Sequence, residues 1–231
     1  MWRVFYAILR FYKEKKMSNL KANYRKVFKD NLTKISHKNN TLWLDYRIQK
    51  ALKAELKRLL SKHTGKRPIN LLFYYPLPIE FDSRKLLGFY KKQKGVQIFL
   101  PFMQGISFKI VKYRLPIQKR AFGVYEPSNS SFKISKLDYA IVPVIGIDKT
   151  FKRIGFGKGM YDRFFSTLKT KPQTIFICRA LNLAQCAITQ PYDLQADRFI
   201  SPFASLKFKD IHNGNMGSYK LYSFSGNRWR R

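Results

Sequence analysis

Three glycines at alternate positions, Gly155, Gly157 and Gly159 in "RIGFGKGMYDR", stop either regular structure from running through this point. Glycine inside a helix or strand gives up the most backbone entropy and packs nothing, so the stretch is a loop. Before it, "LDYAIVPVIGID" is an apolar run rich in β-branched residues and reads as a buried strand. After it, Met160, Phe164, Phe165 and Leu168 recur at helical intervals. A strand, a bare loop and a helix in that order point to an α/β architecture. Unshielded backbone N–H groups admit a phosphate oxygen, as in anion-binding nests and at helix N-termini, and Lys158 supplies a counter-charge. The local residues also permit a plain hairpin turn. Two named motifs are excluded: Lys158 is followed by Gly159 instead of the Ser or Thr of a Walker A loop, and the third glycine comes one residue early for a dinucleotide-binding turn.

The remaining pattern alternates in the same way. Asn19 to Leu60 is helical, with Leu44, Ile48, Leu52, Leu56 and Leu59 on one stripe. "INLLFYYP" and "VQIFLP" are compact strands flanking "SRKLLGFYKKQKG", a helix closed by Gly95; "GISFKIVKYRL" is a third strand, and "QTIFIC" and "LNLAQCAI" follow the loop helix. The expectation is a single α/β domain with a mainly parallel central sheet flanked by helices, its ligands gathered at the carboxyl ends of the strands.

Charge narrows the ligands without choosing one. With 46 Lys+Arg against 13 Asp+Glu the formal charge is +33, which attracts nucleic acid, phosphorylated metabolites, polycarboxylates or an acidic membrane surface. The basic residues are spread along the chain, so a general compositional bias explains them as well as a dedicated face does. Cys178 and Cys186 have no zinc spacing and suggest no disulfide framework, so a reducing cytoplasm is the expected setting. In "MWRVFYAILRFYKEKK", Arg3 and Arg10 leave an apolar run too short to span a membrane. Residues 1–16 read as an extension, with Met17 an alternative start or the segment a surface anchor. Trp2, Phe5, Ile8 and Leu9 fit one side of a short helix. Residues 17–209 would form the domain and 210–231 an irregular basic tail.

The run "LDYAIVPVIGIDKTFKRIGFGKGMYDRF" resembles the signature of the 5-formyltetrahydrofolate cyclo-ligases, also called methenyltetrahydrofolate synthetases: strand, Pro, Asp, then Arg-[Leu/Ile]-Gly-x-Gly-x-Gly-x-Tyr-Asp. "YYPLPIEFD", "FGVYEP" and "QPYDLQADRFIS" resemble further segments of that family, so the likeness spans residues 19 to 202. It implies an ATP- and Mg²⁺-dependent cyclisation of 5-formyltetrahydrofolate, with or without a polyglutamate tail, to 5,10-methenyltetrahydrofolate with release of ADP and phosphate. It implies a monomeric enzyme with no obligate nucleic acid.

The resemblance also assigns residues. Lys21 and Arg25 would clamp ATP phosphates from one helix face, joined by Arg153, Gly155, Gly157, Lys158, Gly159 and Tyr161, with Lys158 and Arg153 acting on the transferred group. Asp162 would hold Mg²⁺, with Asp193 or Asp197 as second carboxylate; a helix-cap role for Asp193 is the alternative. Glu80 would receive the pterin's donors, or be a plain surface acid. Tyr75, Phe102, Met103, Phe156 and Met160 would flank the pterin, although aromatics at strand ends are more often core. Met160 stands where the family usually has tyrosine, and Phe156 where a polar or aromatic residue is common. Two competing classes remain. Aromatics interleaved with cations in "SFKIVKYR" and "FKRIGFGKG" suit a nucleic-acid-binding module, and a sugar-phosphate isomerase would bind phosphate without ATP or Mg²⁺.

Overall fold

The computed structural model describes residues 2–37, 41–65, 67–120, 123–130, 136–208 and 220–221, with side chains from Lys16 to Phe208. Two helices, α1 (Trp2–Ser36) and α2 (Thr41–Leu60), precede the first strand, β1 (Ile69–Leu72). Helix α1 runs unbroken through Met17, so no change of backbone marks the expected boundary at residue 16. The side chains of Trp2, Phe5, Ile8 and Leu9 lie outside the described residues.

After β1 come α3 (Arg84–Lys91), β2 (Val96–Gln104), β3 (Ser107–Lys112) and a small ribbon of β4 (Ile117–Lys119) with β5 (Tyr125–Pro127). The anticipated strand "LDYAIVPVIGID" is in fact two: β6 (Tyr139–Pro143) and β7 (Gly146–Asp148). Strand β7 leaves the main sheet, forming a hairpin with β8 (Arg153–Ile154) and pairing parallel with β10 (Leu183–Ala184). Only those two residues of "LNLAQCAI" are strand. Between β8 and β10 lie α4 (Met160–Ser166) and β9 (Gln173–Ile177). The chain then forms β11 (Arg198–Ile200), β12 (Ala204–Lys207) and β13 (Lys220–Leu221). The last strand falls in the expected irregular tail but pairs with β12; the rest of 210–231 lies outside the described residues.

Among the described residues the main sheet has eight strands in the order β13-β12-β11-β9-β6-β1-β2-β3. Its centre, from β11 to β2, is parallel, and antiparallel strands close both edges. Parallel strands are covered on both faces and alternate their side chains between two cores. Leu71, Ile141, Ile175, Ile177 and Ile200 face the α2 and α3 side, packing with Ile48, Leu52, Leu56, Leu86 and Leu87. Leu72, Ala140, Val142, Phe176 and Phe199 face the other side, with Phe28 and Leu32 of α1, Phe164 and Phe165 of α4, and Ile147 and Ile154 of the small sheet.

This topology fixes the functional end. Chain order reverses between β1 and β6, and the crevice outside the carboxyl ends of strands at such a switch is where open α/β sheets bind ligands. Helix α1 is docked against that end. Asn182 Nδ2 donates to the Ile145 carbonyl at 2.7 Å and the Phe28 carbonyl at 3.3 Å, and Asn31 Nδ2 donates to Asn182 Oδ1 at 2.8 Å.

Candidate active site

Two adjoining cavities occupy this end of the sheet. The larger, about 1050 Å³, is lined by Lys21 and Arg25 of α1, Gly155, Gly157, Asp162, Arg163 and the turn Gln190–Asp193. The smaller, about 320 Å³, is lined by Tyr74, Tyr75 and Glu80 after β1, Met103 of β2, Pro143 at the end of β6, and Phe108, Phe156, Lys158, Met160 and Tyr161. Arg153 and Gly159 line both.

The glycine loop is the partition, and its spacing explains the division. Residues 155, 157 and 159 line the polar cavity, whereas 156, 158 and 160 line the apolar one. The loop bends through 156–158, with Gly157 and Gly159 at positive φ, and so sets bare backbone toward one cavity and the side chains of Phe156, Lys158 and Met160 toward the other. Gly157 has φ +101°, which an L side chain rarely adopts. A Cβ on Gly155 would come within 2.4 Å of the Arg153 guanidinium, so close packing fixes this glycine.

A rigid turn aims Arg153. Asp148, buried at the end of β7, accepts from Thr150 Oγ1 at 2.6 Å, Thr189 Oγ1 at 2.5 Å and four backbone N–H groups. Burial alone would raise its carboxyl; these bonds outweigh burial and hold it below the usual range. Phe151, in the same turn, takes φ 60° and is compensated by burial in the core. Arg153 then leaves β8 with its guanidinium 4.9 Å from the Tyr161 ring centre and 3.6 Å from Asp162 Oδ2. Burial pushes the Tyr161 phenol up, so it stays neutral.

The larger cavity gathers opposite charges. Lys21 and Arg25 share one face of α1, as their spacing requires: Lys21 Nζ lies 2.6 Å from Asp193 Oδ2, and Arg25 Nε donates to the Gly155 carbonyl at 2.9 Å. Asp193 also accepts from the Gln190 backbone N–H at 2.6 Å; it closes a turn, and no helix follows, which removes the helix-cap alternative. Asp162, in the first turn of α4, accepts from the Leu194 N–H at 2.9 Å. Asp197 is committed elsewhere: its Oδ2 accepts from the Thr174 N–H at 2.8 Å at the opposite end of the sheet.

A magnesium ion fits this donor set. Asp162 and Asp193 bring two hard carboxylates to one cavity, each with one oxygen that accepts no backbone bond. No cluster of three or more His, Cys, Asp or Glu suited to a metal occurs among the described residues. The ion's shell would need phosphate oxygens and water to complete it.

Three placements differ from expectation. Lys158 and Tyr161 line the smaller cavity and not the larger one, Lys158 from the bend of the loop and Tyr161 from the first turn of α4. Phe102 lines neither cavity; its ring lies 5.7 Å from the Lys109 ammonium. Sequence reasoning missed Arg163, whose Nε donates to the Ile106 carbonyl at 2.8 Å and whose Nη2 donates to the Lys158 carbonyl, tying the β2–β3 turn to the glycine loop. It also missed Glu126, buried and accepting from the Met103 N–H at 2.9 Å. Arg163 directly follows Asp162, but its partner at Ile106 is remote in sequence. Glu126 lies within "FGVYEP", a segment noted without a role.

Glu80 sits among protein atoms although part of its surface is exposed. Dehydration raises its carboxyl to about 7, against a bond from the Leu77 N–H at 2.9 Å and attraction from Arg153 and Arg179. It is a cavity acid, not a plain surface one.

The nucleic-acid alternative is not favoured. Phe108 and Phe151 of its basic-aromatic stretches are core residues, and Phe156 faces the smaller cavity, so these rings form no continuous stacking surface. No helix among the described residues is long and apolar enough to cross a membrane.

Comparison with known proteins agrees with this architecture. A 5-formyltetrahydrofolate cyclo-ligase of Mycoplasma genitalium is 27% identical over 158 residues, covering 68% of this chain and 83% of the relative. The solved 5,10-methenyltetrahydrofolate synthetase of Aquifex aeolicus superposes with a TM-score of 0.62 at 20% identity, covering 92% of this chain and 100% of that one. That of Mycoplasma pneumoniae gives 0.56 at 21%, covering 79% and 98%. These two likenesses are of fold. The sequence model of the 5-formyltetrahydrofolate cyclo-ligase family matches residues 17–194, the span that contains both cavities' principal residues, and the chain belongs to that family.

Proposed function

We propose that this chain closes 5-formyltetrahydrofolate to 5,10-methenyltetrahydrofolate at the expense of ATP, releasing ADP and phosphate. The observation that carries the reading is the shared wall: a polar cavity with bare glycine backbone and cations adjoins an apolar cavity with one acid, and Arg153 belongs to both. A triphosphate and a pterin held on the two sides would meet at that residue.

A formyl oxygen is a poor leaving group. Its attack on the γ-phosphorus expels ADP and forms an imidate phosphate. The neighbouring folate amine then attacks the activated carbon, loses its proton, and expels phosphate carrying the former formyl oxygen. Lys21, Arg25 and the glycine backbone would hold the triphosphate, and Arg153 would offset charge on the group in transfer. Lys158 would act from the folate side. Glu80 would accept from the pterin's donors, with Tyr75, Phe156 and Met160 around the ring. Asp162 and Asp193 would hold Mg²⁺, which when bound neutralises phosphate charge. The protein's contribution is positioning and electrostatics, with no general base required.

The test is the absorbance change on forming methenyltetrahydrofolate. It is expected only when ATP, Mg²⁺ and 5-formyltetrahydrofolate are all present. Product formation without ATP, or none with all three, overturns the reading.

A further inference from the structure

Arg179 follows β9 at the carboxyl end of the sheet and is 5% exposed, yet it lines neither cavity. Its Nε and Nη2 each donate to Asp45 of α2 at 2.8 Å, a two-point bond. Its Nη1 donates to the Pro78 carbonyl at 3.0 Å and reaches Ser36 Oγ of α1 at 3.4 Å. Asp45 Oδ2 in turn accepts from the Asp82 N–H at 3.3 Å. One ion pair thus grips the segment from Pro78 to Asp82 at both ends, and Glu80 lies between the grips. Within that segment the turn has its own short bonds, Glu80 N–H to the Leu77 carbonyl at 2.9 Å and Leu77 N–H to Glu80 Oε2. Those bonds shape the turn; at its C-terminal end Phe81 is also held, its ring buried and its carbonyl accepting from the Tyr74 hydroxyl at 3.2 Å, so the Pro78 end depends most on Arg179.

A buried ion pair is weak evidence for stability, because removing two charges from water costs about what their attraction returns. Its geometric use is clearer. A guanidinium with one two-point partner and one carbonyl fixes three bodies in angle as well as distance, which a lysine cannot do. We propose that Arg179, with Asp45, is a positioning residue for folate: it holds the Leu77–Asp82 turn so that Glu80 meets the pterin, and it leaves the ATP side alone. The assignment rests on the function proposed above.

The test compares wild type, Arg179→Met, Arg179→Lys and Asp45→Asn in steady-state kinetics, with hydrogen exchange of the ligand-free proteins. Losing a charged hydrogen bond that positions a binding group raises KM for 5-formyltetrahydrofolate roughly tenfold or more in Arg179→Met and Asp45→Asn. KM for ATP stays within about twofold, and Arg179→Lys falls between wild type and Arg179→Met. Faster exchange is confined to the amides of 77–82. The double variant Arg179→Met/Asp45→Asn is no worse than Arg179→Met alone, since that change already breaks the pair with Asp45. If Arg179→Met does not fold, Arg179→Lys and Asp45→Asn carry the comparison. Equal rises in both KM values, or a loosened turn with folate KM unchanged, overturn the positioning role while the function stands. A wild-type protein that forms no methenyl product overturns the function and this role together.

Discussion

Glu80 would set the pH response of the proposed folate side. Its carboxyl is raised by dehydration to about 7, so between about 4.5 and 7 the folded protein keeps a proton that the unfolded chain has released. More protons bound in the folded state means stability falls as pH rises through that window and is level above it. Glu80→Gln should remove this slope, seen as melting temperatures that no longer decline from pH 4.5 to 7. Pterin donors bind the charged form, so affinity for 5-formyltetrahydrofolate should fall as pH drops below about 7. At pH 8 Glu80→Gln should weaken folate binding roughly 10- to 100-fold, the worth of a charge-assisted hydrogen bond, and spare ATP. Titration calorimetry with each ligand separates the two, and equal weakening of both would remove Glu80 from the folate site. The sequence put an acid after a strand, but its dehydration comes from the fold, which encloses it in a cavity with Tyr74 and Tyr161 from separate elements, and Arg153 there works against the rise.

Helix α1 carries cations of the polar cavity. Its described cavity-lining residues, Ser18, Asn19, Lys21, Arg25 and Lys29, follow Met17, and its described core contacts are made by Tyr24, Phe28, Leu32 and Ile35. A protein starting at Met17 should therefore keep kcat and both KM values while losing at most a little stability, since terminal helix not needed for packing is tolerant of removal. A truncated protein that is folded but inactive would place part of residues 1–16 in the chemistry. The glycine loop was the most legible element, because alternate glycines have few structural meanings. The division of labour across it was not legible: which side of the loop faces the cations of α1 depends on where α1 lies, and α1 is held by Asn182, more than a hundred residues away in sequence.

At the scale of the molecule, the +33 charge would draw the two anionic substrates of the proposed reaction toward the protein. Long-range attraction speeds encounter and is screened by salt, the Debye length shrinking from about 30 Å at 0.01 M to about 8 Å at 0.15 M. KM for ATP should rise several-fold over that range with kcat little changed, measured at constant Mg²⁺. A salt-independent KM would show that the charge does not serve capture and reflects composition alone. The expectation of a monomer is checked by light scattering on the same samples, a single mass near 27.4 kDa being the expected result.

Order along the chain was written in residue spacing. The α2 stripe from Leu44 to Leu59, the β1 and β2 runs and the strand-loop-helix around Gly155 follow from local periodicity, which neighbouring residues enforce through sterics and burial. Those features sufficed for the fold class and the family resemblance. Tertiary structure alone decided what depends on distance between remote segments. The "LDYAIVPVIGID" run divides because β7 finds its partners in β8 and β10, and no local pattern marks the exchange. Asp193 joins Asp162 while Asp197, four residues on with the same side chain, faces the far end of the sheet. Arg179 looked like one cation among 46, and only packing of α1, α2 and the 77–82 turn around it gave that charge a half-buried carboxylate to hold. Spacing acts over a few residues, whereas a site forms where long-range contacts bring chain segments together, and those contacts are a property of the whole fold.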